Sequence, residues 1–78
     1  MEIYGFAAKV ERDGKYYVGS VKELHAHTQA TSLRELKKNL KEVVSLVLED
    51  VLRHESEYNK SIVAEVKAKL IQKLLLLA

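Results

Sequence analysis

His25 and His27 are two residues apart, so on a strand their imidazoles share a face, and with His54 they could supply three metal ligands. Nothing in the spacing brings His54 near the other two, and no cysteine or acid has zinc-type spacing, so the histidines read as surface residues available to a partner. Two-metal cleavage of a phosphodiester needs several carboxylates on neighbouring strands and a helix. The first apolar stretch has Lys9 in its interior and acids only at its ends, Glu2 and Glu11. Glu35, Glu42, Glu49 and Asp50 fall on the polar side of a helix. Thr28, Thr31 and Ser32 lie near His27, but Ser32 has the position of a helix cap and Thr28 suits a strand. Gly5, Gly14 and Gly19 are too scattered for a phosphate-binding loop. These patterns predict no catalytic residue, no metal and no cofactor; the chain reads as a non-enzyme.

Charge points the same way. The chain has 13 Lys and Arg against 11 Asp and Glu, a formal net charge of +2. Lys37, Lys38 and Lys41 are the nearest approach to a basic cluster, and with Glu35 and Glu42 among them they read as a solvated helix face, which argues against a nucleic-acid surface. Tyr4, Phe6, Tyr16 and Tyr17 could stack bases, but some must fill the core, because Tyr58 is the one other aromatic.

The element that must organise these residues is 32–53. Leu33, Leu36, Leu40, Val43, Val44, Val47 and Val51 recur at steps of three and four, with Leu48 at the edge of the stripe, which predicts one long amphipathic helix. Ser32 and Glu35 have capping-box spacing at its start. Before it, residues 2–11 alternate as a strand, with Tyr4, Phe6, Ala8 and Val10 on one face. Asp13-Gly14 predicts a hairpin turn, because glycine accepts positive φ. Residues 15–21 return, with either Tyr16, Val18 and Ser20 or Tyr17, Gly19 and Val21 facing the core. A third strand over 26–31 places Ala26, Thr28 and Ala30 inward, with His27 and Gln29 outward. After the helix, 53–60 reads as a loop or a frayed end. Residues 61–77 form a second helix on their Ala, Lys, Leu and Glu content, with a fourth strand as the alternative. The expectation is one α+β domain over 1–78: a three-stranded antiparallel sheet on one long amphipathic helix, followed by a C-terminal helix.

Seventy-eight residues bury only ~60–65% of their unfolded surface, and no cysteine is present to staple them. Association is the remaining common device. Leu46 and Leu52 sit off the helical stripe, and Leu74, Leu75, Leu76 and Leu77 are apolar all round. With His25 and His27, these are the expected interface residues of a homodimer or a protein complex. Neither a leader nor a long uncharged apolar run stands out, so the chain reads as cytoplasmic and free of membrane.

The ordered set of motifs resembles the HicB-like antitoxins, small proteins with a partial ribonuclease-H-like fold. The resemblance rests on Glu11-Arg12-Asp13-Gly14-Lys15-Tyr16-Tyr17-Val18, on Glu23-Leu24 with His27-Thr28-Gln29, and on Ser32-Leu33-Arg34-Glu35-Leu36 through Asn39-Leu40-Lys41-Glu42-Val43-Val44. It covers roughly residues 1–52. The family's Pro-Gly before the third strand is replaced by Leu24-His25-Ala26, and its helix alanines by Leu36 and Val43. What the resemblance implies is a small ribonuclease toxin as partner, masked by this chain; the alternatives are a small RNA- or DNA-binding protein using Lys37, Lys38, Lys41 and the tyrosines, and an oligomeric scaffold without a toxin. The last twenty-five residues are too few for the DNA-binding domain that many members add.

Overall fold

The computed structural model describes residues 1–77, with backbone alone for Lys73, Leu76 and Leu77. Its centre is the helix α1, Leu33–Arg53. Ser32 caps it from extended backbone, its Oγ accepting from the Glu35 N–H at 3.2 Å. The return bond of a capping box, from the Glu35 carboxylate, is not made. Leu36, Leu40, Val44, Leu48 and Val51 are buried along one stripe, so Leu48 belongs to the core and not to its edge. Leu33, at the first turn, is 48% exposed.

Two small hairpins precede α1. β1 (Glu2–Ile3) pairs with β2 (Phe6–Ala7) across a tight turn. Tyr4 and Gly5 hold that turn with φ of 51° and 86°. Positive φ at both central positions matches the right-handed twist of hairpin strands, and glycine takes it without steric cost. β3 (Lys9–Asp13) then pairs antiparallel with β4 (Tyr16–Val21), and β4 with β5 (Ala26–Ala30). The expected strand over 2–11 is therefore corrected: it folds back on itself at Tyr4-Gly5 and passes through buried Ala8 before joining the main sheet. The alternation hid this, because Phe6, Ala8 and Val10 still point inward. Ile3 is buried while Tyr4 is exposed.

Asp13 is paired opposite Tyr16, so the second turn is Gly14-Lys15 and not Asp13-Gly14. Gly14 has φ of 58°, at the position where a type II′ turn takes glycine. Tyr17, Gly19 and Val21 form the inner face of β4, which decides between the two expected faces. Gly19 lets α1 lie close on the sheet: a Cβ there would meet Leu40 Cδ1 at 2.7 Å. Ala26 and Ala30 are buried and Thr28 half-buried on β5, while His27 and Gln29 face outward.

A short 3-10 turn, Lys22–Leu24, joins β4 to β5 and buries Leu24. After a second one, Glu55–Glu57, α2 runs over Lys60–Leu77. Residues 61–77 are thus helical and not a fourth strand. Asn59 opens α2, its Oδ1 accepting from the Ser61 N–H at 2.7 Å. Val66 is fully buried, and Ile62, Val63 and Leu70 pack at the edge of the same core as Ile3, Phe6 and Val51. The far face of the sheet carries Lys9, Glu11, Tyr16, Val18, Ser20, His27 and Gln29, and no element covers it among the described residues. The molecule is accordingly flat, 38 × 31 × 16 Å.

Candidate protein interface

Along α2 the exposure of apolar side chains rises. Val66 is buried and Leu70 half-buried, while Ile71, Leu74 and Leu75 are 58%, 65% and 71% exposed. Their spacing of three and four places the last three on one helical face. Leu74 and Leu75 were expected at an interface; Ile71 was not, although its spacing from them is the signal that would have found it. The side chains of Leu76 and Leu77 lie outside the described residues.

Where α2 leaves the core it forms a groove with α1 and the first turn, about 310 Å³, lined by Tyr4, Ser45, Leu48, Glu49, Leu52, Lys69 and Leu70. Lys69 fixes its wall. The ammonium donates to the Gly5 carbonyl at 2.5 Å and lies 5.2 Å from the Phe6 ring centre. Leu52 thus joins the α2 side of the molecule. Leu46, about 120° around the helix from Leu52, does not. It lines an adjoining depression with Glu49, Asp50, Arg53 and His54, and Glu49 is shared with the groove.

His25 and His27 lie elsewhere again. They line a shallow cleft of about 700 Å³ with Lys9, Ser20, Lys22 and Glu23. His25 ends the 3-10 turn in the left-handed region, φ 51°, its N–H donating to the Lys22 carbonyl at 3.1 Å. A hydrogen bond from Lys9 to Glu11, and the charge behind it, raises the Lys9 ammonium above its ordinary 10.5. The expected interface residues therefore occupy two adjoining surfaces that share Glu49, and a distinct cleft at His25 and His27.

The other candidates for chemistry are also apart. His54 lies 3.7 Å from Asp50 and 3.8 Å from Glu57, at the C-terminal end of α1. Among the described residues no group of three or more His, Asp or Glu is placed to hold a metal ion. His27 and Thr28 point to opposite faces of β5, so no base stands beside that hydroxyl. Arg12 stacks on Tyr17 at 4.9 Å and donates to its hydroxyl at 3.0 Å, while Tyr16 lies on the far face of the sheet and Tyr4 in the first turn. The tyrosines form no single platform. No helix among the described residues is long and apolar enough to cross a membrane.

No family model, curated protein or solved structure matches the chain.

Proposed function

We propose that the chain is a non-enzymatic protein-binding module of HicB-like antitoxin type, which pairs with a second copy and masks a small ribonuclease toxin or a similar protein. The observation that carries this reading is the uncovered face of Ile71, Leu74 and Leu75 on α2. Burying a leucine or isoleucine side chain is worth about 1.5–3 kcal/mol, a large return for a domain with so small a core. A second copy covers that face in the proposed assembly.

One further feature suits a partner. β5 is an edge strand and could take another strand beside it, although the Asn39 amide already donates to the Gln29 carbonyl at 3.4 Å. The cytoplasm, where a ribonuclease toxin meets its RNA, is the proposed setting.

The test is purification of the chain from its native host, followed by an RNA-cleavage assay on whatever small basic protein accompanies it. Stoichiometric addition of the purified chain should abolish cleavage by that protein. Recovery of the chain alone, or cleavage unaffected by it, would overturn the masking role.

A further inference from the structure

We infer that Arg34, Lys37, Lys38 and Lys41 on α1 form a docking surface for the phosphodiester backbone of nucleic acid, recognised by charge and without reading of bases. This inference stands apart from the masking role and does not rest on it.

The four residues occupy positions i, i+3, i+4 and i+7, so they share one face along about 10 Å of helix axis. All four are exposed. Glu35 and Glu42 are their neighbours in sequence, yet none of the four is in ion-pair contact with a carboxylate among the described residues. Three cations elsewhere are in ion pairs, Lys9 with Glu11 at 2.9 Å, Arg53 with Glu49 at 2.8 Å and Lys67 with Glu55 at 2.7 Å, whereas Lys22 and Lys60, like the four, are in none among the described residues. What sets the four apart is that they share one face.

The stripe is unfavourable to the helix that carries it. Arg34 with Lys38, and Lys37 with Lys41, are like charges four apart, which repel. Of the four only Arg34 lies in the first turn of α1, where the helix dipole favours anions. Glu35 and Glu42 stand three and four residues from Lys38, at the spacing of attractive pairs, and offset part of this repulsion; an anionic ligand relieves the remainder.

Lysine-rich surfaces without an apolar anchor suit phosphates better than proteins. Protein interfaces are depleted in lysine and built around buried aromatic or aliphatic anchors. The shallow groove here, about 340 Å³, is lined by the four cations and Glu42 alone. Lysine and arginine point charges with no hydrophobic contact are the usual means of holding a nucleic-acid backbone.

The experiment is fluorescence anisotropy of the intact chain with labelled duplex DNA and single-stranded RNA of about 20 units, across about 50–200 mM salt. Four phosphate contacts give a slope of log K against log salt of about −3.6 on duplex or −2.8 on a single strand. The variant K37Q/K38Q/K41Q, which alters exposed positions only, should lower the slope to about −0.9 or −0.7. The variant K22Q/K60Q should leave it unchanged. Whichever nucleic acid shows the steeper stripe-dependent slope is the favoured form. No binding to either at the lowest salt, a slope that the triple variant does not change, or equal binding of poly-glutamate would overturn the inference.

Discussion

Lys69 and Gly5, 64 residues apart, are joined by a 2.5 Å bond from the Lys69 ammonium to the Gly5 carbonyl. The lysine stem lies over the turn as well: a Cβ on Gly5 would stand 3.0 Å from Lys69 Cδ. This contact ties α2 to the N-terminal hairpin and forms one wall of the apolar groove. Lys69→Met keeps most of the stem and removes the charge-assisted bond, so it should lower unfolding free energy by about 1–2 kcal/mol. Lys69→Ala should cost more, because the packing is lost too. Urea titration of both variants checks the order; equal stability of Lys69→Met and the native chain would contradict it.

Gly19 sets how closely α1 approaches the sheet. Gly19→Ala would place a methyl 2.7 Å from Leu40 Cδ1 and 3.3 Å from Leu36 Cδ1, both on buried side chains. The expected cost is about 1–3 kcal/mol of overpacking. The double variant Gly19→Ala with Leu40→Val should recover part of it, a coupling that a double-mutant cycle measures.

Much of this architecture was legible because it is periodic. The spacing from Leu36 to Val51 located α1, and Gly14 located a turn beside it. The break at Tyr4-Gly5 was not legible. A two-residue strand is too short to leave a pattern, and the fold-back keeps Phe6, Ala8 and Val10 on the expected side. Residues 61–77 alternate well enough for a strand, and packing of Val66 into the core goes with the helix. Asn59 before Lys60-Ser61 is a cap signal present in the sequence, and it marks the start of α2. The separation of Leu46 from Leu52 follows from their spacing on one helix, whereas the groove that Leu52 shares with Tyr4 and Lys69 depends on tertiary contacts such as Lys69 to Gly5, which no local pattern encodes.

Helix caps give an independent check on both helix starts. Ser32→Ala and Asn59→Ala each remove a side-chain acceptor from a backbone N–H, at 3.2 Å and 2.7 Å. Each should cost about 1 kcal/mol, and the two should add, since the sites share no hydrogen-bond partner. Thermal unfolding of the single and double variants measures both points.

Tyr58 donates its hydroxyl proton to Asp50, joining the start of α2 to the end of α1. That hydrogen bond, assisted by desolvation and the charges of Asp50 and Glu57, raises the tyrosine above its ordinary 10.0. A raised value means the folded state holds the proton more tightly than the unfolded chain. Its contribution is complete below pH 10.0 and is lost as pH rises through the folded-state value. The stability gap between the native chain and Tyr58→Phe should therefore be constant through neutral pH and narrow in alkali. Denaturation across that range checks it; a gap that widens above pH 10.0 would contradict the sign.

Sedimentation equilibrium at about 100 μM is the most direct test of the proposed interface, since self-association with a dissociation constant well below that level gives mainly dimer there. The native chain should sediment as a dimer, and Leu74→Glu with Leu75→Glu as a monomer of unchanged helix content. A native chain that is monomeric at that concentration would contradict the role given to the uncovered face of α2.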